Sequence, residues 1–173
     1  MLAAAFALVG CGSETTSFRA TDRTDGTGRT PAAAVYELRN THVRVWSNGG
    51  YISNTEEPMT HVAFEIDNRG SRPIAFDGDA LQLALFDRDG APLPPAAFVT
   101  VTPLGPARVP IATGATTLEA YFRLSVRPRV VDHMQLRWSI QIDDQTNRQL
   151  TTFARDDDGP VAEPPRREAP AGS

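Results

Sequence analysis

Apolar residues fill every second position from Met134 to Ile142, with Gln135, Arg137, Ser139 and Gln141 between them, and only an extended strand places such a run on one face. A helix would scatter the same five side chains around its axis. Met134, Leu136, Trp138, Ile140 and Ile142 are therefore expected to face a core, and the polar set to face water. Leu118, Ala120, Phe122, Leu124 and Val126 repeat the period, with Glu119, Tyr121, Arg123 and Ser125 outward. Val62, Phe64 and Ile66 mark a third strand, and Leu81, Leu83 and Leu85 a fourth. Weaker alternation runs from His42 to Trp46, Pro73 to Phe76, Phe98 to Thr102 and Gln149 to Phe153.

Turn chemistry falls between these runs. Asp67-Asn68-Arg69-Gly70, Asp87-Arg88-Asp89-Gly90, Ala112-Thr113-Gly114 and Asp143-Asp144-Gln145-Thr146-Asn147 hold the residues that tolerate tight bends. Pro92, Pro94, Pro95, Pro103, Pro106 and Pro110 interrupt the middle, which predicts a crossing between sheets or an edge strand there. About seven or eight short strands with no helical period predict an antiparallel two-sheet sandwich, with an up-and-down barrel as the alternative.

The N-terminus carries a different signal. Leu2 to Val9 is a short apolar run, closed by Gly10 and by Cys11, the one cysteine of the chain. The run is about half the roughly 20 residues that span a bilayer, but it suits the apolar part of an export signal. Leu8-Val9-Gly10-Cys11 resembles the lipobox of bacterial lipoproteins. That resemblance implies cleavage before Cys11, acylation of its thiol (palmitate among the chains) and anchoring in the cell envelope. Gly12 stands where an Asp would mark inner-membrane retention in such proteins, so the outer membrane is favoured. No basic residue precedes Leu2, so further residues with Lys or Arg are expected upstream of Met1. Residues 1–10 are read as signal, 11–34 as a disordered lipid-anchored linker rich in Thr, Ser, Gly and Asp, 35–154 as the β domain, and 155–173 as a disordered acidic, Pro-rich tail.

The β domain also has a resemblance. A strand ending Ile66-Asp67-Asn68, the restart Gly70-Ser71-Arg72-Pro73-Ile74, the turn Phe86-Asp87-Arg88-Asp89-Gly90, and Thr113-Gly114 before the strand to Phe122 resemble the immunoglobulin-like domains of bacterial surface and periplasmic lipoproteins. The resemblance implies an immunoglobulin-like sandwich that binds or supports rather than catalyses. The antibody-type cysteine pair is absent, and Trp138 is expected to serve as the central core aromatic.

Composition narrows the function. The formal net charge is −4, which argues against nucleic acid, and all 17 basic residues are arginine. With Cys11 acylated no thiol remains for a disulfide, a zinc site or a nucleophile. No nucleophile elbow, HExxH helix or phosphate loop occurs, so no enzyme activity and no cofactor beyond the lipid are expected. The alternative function is periplasmic copper binding through Met59, His61 and His133, whose thioether and imidazoles suit that metal. Asp77-Gly78-Asp79 and Asp87-Arg88-Asp89 begin like calcium loops, but counting from Asp87 puts Phe98 where the closing glutamate belongs. Tyr121, Arg123, Arg127 and Arg137 form a candidate face for an envelope protein partner, if their two strands are neighbours.

Overall fold

The computed structural model describes residues 15–24, 32–102 and 108–157. The strands are β1 (Thr15–Thr16), β2 (Phe18–Ala20), β3 (Ala34–Leu38), β4 (Thr41–Ile52), β5 (Pro58–Asn68), β6 (Ile74–Asp77), β7 (Gln82–Phe86), β8 (Pro92–Thr102), β9 (Arg108–Ile111), β10 (Gly114–Arg123), β11 (His133–Ile142) and β12 (Gln145–Arg155). Two 3-10 turns, Gly78–Ala80 and Pro128–Val130, complete the elements of the described residues. Every strand pairing among them is antiparallel.

Hydrogen bonding runs β1-β4-β5-β10-β8-β7-β11-β12-β2, with β3 also on β4, and β6 joining β11 to β9. The wall therefore has two halves, one centred on β5 and the other on β11, and β8 belongs to both. Its first residues pair with β7 and its last with β10, so each end of β8 keeps one edge unpaired. That is how Pro92, Pro94 and Pro95, which have no N–H to give, sit in a strand at the middle of the wall. Pro110 lies in β9, which pairs only with β6.

The opposite seam closes through the N-terminal segment. Thr15 and Thr16 pair with Tyr51 and Gly50 of β4, and after Ser17 the chain pairs Phe18, Arg19 and Ala20 with Arg155, Ala154 and Phe153 of β12. One short segment thus joins both halves and gives the sheet a barrel-like closure. The disordered linker expected over 11–34 is corrected for residues 15–24: Phe18 and Ala20 are 2% and 3% exposed, and Val35 N–H donates to Arg23 O at 2.8 Å. The period is again two, with Thr16, Phe18 and Ala20 inward. Its apolar surface is small, and the fold supplies the partners that the segment alone lacks.

The core lies between the halves. Met134, Leu136, Trp138, Ile140 and Ile142 are all buried, as the alternation predicts. Trp138 meets Tyr36 edge-on at 5.1 Å between centroids and Phe64 at 5.6 Å, and Phe64 meets Phe76 at 4.8 Å. A polar chain runs through this apolar centre. Trp138 Nε1–H donates to Thr151 Oγ1 at 2.9 Å, Thr151 and Tyr36 share a 2.8 Å hydroxyl contact, and Tyr36 O–H donates to Leu150 O at 2.9 Å. One direction satisfies all of it, with Thr151 donating to Tyr36. Burial raises the Tyr36 pKa, which keeps the phenol in the donor form that this chain requires.

Replacing Phe18 by Ala should destabilise the chain by about 3–5 kcal/mol in urea unfolding, where a residue in a solvated linker would change nothing. Thr151→Val keeps the shape but strands the buried Trp138 N–H and takes one of the two hydrogen bonds of Tyr36. It should cost about 1–3 kcal/mol in the same measurement.

Candidate functional site

Two regions of the outer wall carry the chemistry. The first spans β4, β5 and β10. Near its end β4 bulges between Ser47 and Gly50, with Gly49 at φ +91°, a backbone conformation that glycine adopts without strain. The bulge is fixed by Thr60 O–H donating to Gly49 O at 2.9 Å and Gly49 N–H donating to Ser47 Oγ at 3.0 Å. Gly50 also sits where any Cβ would stand 2.8 Å from the Pro128 ring, so the 3-10 turn packs directly on β4.

The bulge turns Asn48 toward His61 of β5. Trp46 Nε1–H donates to Asn48 Oδ1 at 2.9 Å, which leaves the Asn48 amide N–H to donate to His61 Nε2. His61 is therefore a neutral imidazole with its proton on Nδ1, and that atom is buried without a hydrogen-bond partner. Tyr121 lies across the strand from His61, with ring centroids 5.1 Å apart, and Tyr51 stands edge-on at 6.3 Å. Tyr121 O–H donates to Glu119 at 2.6 Å. Burial, then that hydrogen bond, raise the Tyr121 pKa. Burial lowers the His61 pKa and outweighs the opposing pull of Glu119.

The second region is the outer face of β7, β11 and β12. A trough of about 480 Å³ lies there, bordered by Gln82, Arg137, Arg148 and Leu150, with Ser139 at its floor. The register sets Arg137 opposite Leu150 and Ser139 opposite Arg148. No hydrogen bond or ion pair joins either arginine to another of the described residues.

The residues expected to act are distributed over both regions. Cys11 lies outside the described residues. Met59 and His61 share the outer face of β5, two positions apart. His133 opens β11 in the other half, stacked flat on Phe86 at 4.5 Å and 3.8 Å from Asp132. Three strands, β10, β8 and β7, separate β5 from β11. Met59, His61 and His133 therefore do not meet at one point. Among the described residues no three His, Cys, Asp or Glu side chains gather to hold a metal.

The expected partner face is likewise split. Tyr121 and Arg123 belong to β10, Arg127 to the link before Pro128–Val130, and Arg137 to β11; β10 and β11 are not neighbours. Arg123 is taken up by Glu57 at 3.4 Å. The acidic turn at Asp87 is an Asx turn, its Oδ1 accepting from the N–H groups of Asp89 and Ala91 at 3.0 and 2.8 Å.

Sequence reasoning missed Arg148 and Asn48. Arg148 was within reach, because extending the alternation of Leu150 and Thr152 backward sets it on the face of Arg137. Asn48 was not, since a bulge breaks the period that would have placed it. Compared with known proteins, the chain matches no family model and no curated protein.

Because His61 stays neutral in the fold and its unfolded counterpart titrates near 6.5, protons favour the unfolded chain below that pH. Stability should hold above about pH 6.5 and fall as the pH drops below it, by at most about 1.4 kcal/mol per pH unit from this group. Urea unfolding from about pH 7.5 to about pH 5 checks this against His61→Gln, which should flatten the slope. An unchanged slope in the variant would remove His61 as its source.

Proposed function

We propose that the chain is a lipid-anchored extracytoplasmic module of the bacterial cell envelope, favouring the outer membrane, that binds a protein partner through its outer wall and catalyses no reaction. The reading takes the scaffold as immunoglobulin-like, with the two halves of the wall in the roles of its two sheets. The packing of Trp138 between Tyr36 and Phe64 supports it. The observation that carries the binding role is the trough of about 480 Å³ on β7, β11 and β12, with two arginines at its rim. An arginine held mid-strand over a trough offers a planar fork of donors to a partner and gives the fold itself no ion pair.

Anchoring rests on Leu8-Val9-Gly10-Cys11. No helix of the described residues is long and apolar enough to cross a membrane, so the lipid is the membrane contact in this reading. More than one acyl chain is needed for a firm hold, at about 0.8 kcal/mol per buried CH₂. The link is short: from Cys11 to the first residue of β1 the chain reaches at most about 14 Å even fully extended. The barrel is then carried close to the bilayer with its Thr15 end inward.

Cells fed an alkyne analogue of palmitate should label the wild-type chain and not Cys11→Ser, and the variant should leave the membrane fraction with its melting temperature unchanged. A variant that still labels and pellets with membranes would end the anchoring proposal. Photocrosslinking from position 82 in intact cells tests the binding role, which fails if only lipoprotein-processing enzymes are trapped.

A further inference from the structure

The arginines of the outer wall differ in whether a carboxylate meets them. In the half around β5, Arg44 lies 3.2 Å from Glu65 and Arg123 lies 3.4 Å from Glu57, so positive charge is met by carboxylate on the same wall. In the half around β11, the outward positions of β7, β11 and β12 are glutamine, threonine, Ser139, apolar residues, His133, Arg137 and Arg148, and none is a carboxylate. Asp77, outward on the neighbouring β6, lies 3.9 Å from Arg108, and Asp132 lies 3.8 Å from His133, so within a chain of net charge −4 the outward positions of β7, β11 and β12 keep Arg137 and Arg148 with no carboxylate of their own.

The geometry of that face selects the ligand. Arg137 and Arg148 are diagonal neighbours on adjacent strands, about 7–8 Å apart at the backbone, so their forks reach one anion or two successive ones. Arg137 borders two depressions. Beyond it from the first trough lies a second of about 350 Å³, where Phe86, Gln135 and Pro95 take part in the lining, and Gln82 lines both. A single small anion would sit at the guanidinium forks and leave the troughs empty, whereas an extended chain would cover both. Leu150, 43% exposed beside the two arginines, offers such a chain an apolar contact. The amides of Gln82 and Gln135 can both donate and accept, as a peptide main chain requires.

We infer that this face binds an extended, carboxylate-rich segment of the partner protein, its glutamates or aspartates paired with Arg137 and Arg148. The inference rests on the binding-module reading above and names the chemistry of its partner. Recognition is charge-assisted and lies at the surface, so it weakens with salt.

The test uses the full chain and a fluorescein-labelled oligoglutamate, read by anisotropy, with oligoglutamine and inorganic polyphosphate of matched charge as comparisons. The oligoglutamate should bind, oligoglutamine should not, and affinity should fall as salt rises. Arg137→Gln and Arg148→Gln should each weaken binding about tenfold. Arg88→Gln, in the turn between β7 and β8, should leave it unchanged. Thermal melting of each variant shows that the loss is not unfolding. The inference is overturned if oligoglutamate does not bind at low salt, if Arg88→Gln weakens it as much, or if polyphosphate binds more tightly through the same arginines. Should position 82 still crosslink an envelope protein in cells while oligoglutamate fails to bind, the acidic chemistry is wrong and the module reading stands.

Discussion

Trp138 fills the middle of the barrel with an indole whose N–H has no water to turn to, so the fold must bring it an acceptor, and Thr151 on the neighbouring strand is that acceptor. Thr151 in turn needs Tyr36, which arrives from the opposite half on β3. An apolar core tolerates many packings of similar volume, but a closed chain of three polar groups is satisfied in only one register of β11 against β12 and one approach of β3. The strands that carry the outer face are set by this interior arrangement. A one-residue slip of β12 would carry Thr151 outward and turn Arg148 toward the core.

Alternation made the centre of the fold legible. The five inward residues of β11, the leucines of β7 and the phase of β10 are all where a period of two puts them. It failed where its evidence is thin or interrupted. β2 has one large apolar residue, Phe18, in a stretch of threonine, serine and arginine, and its burial depends on the edges of β4 and β12, which lie far away in sequence. β8 carries prolines that look like breakers, and only the change of partner partway along it shows how they are accommodated. The same limit governs the outer face. A period fixes which way Tyr121, Arg123 and Arg137 point but says nothing of which strands are neighbours, and the shared surface hung on that condition.

The two halves differ in how they handle polarity outside the core. Around β5 the outer wall is partly closed over: Trp46, Asn48, His61, Tyr121 and Glu119 form a connected set, and His61 is 4% exposed although it points away from the core. Its aromatic rings pack on one another and its hydrogen bonds are made within the set, save at the buried His61 Nδ1, which has no partner. Around β11 the outer wall is open, and Arg137 and Arg148 meet no counterpart among the described residues. The first arrangement stiffens the wall beside the bulge of β4, and the second leaves a surface with unspent donors.

The seam at Ser17 has a mechanical meaning. Any pull on the chain ahead of Thr15 enters the barrel along β1 and β2, and these are strands of two and three residues. A partner gripping the face of β11 and β12 would supply the opposing force, and the load would pass from β12 to β2 through a ladder of three residue pairs. That ladder and the two pairs of β1 with β4 are far shorter than the ten pairs between β11 and β12. The barrel would yield first at its own closure, releasing Phe18 and opening one side while the Trp138 centre stayed packed. A module built this way limits the tension it can transmit, with its weakest seam at the end where the chain enters.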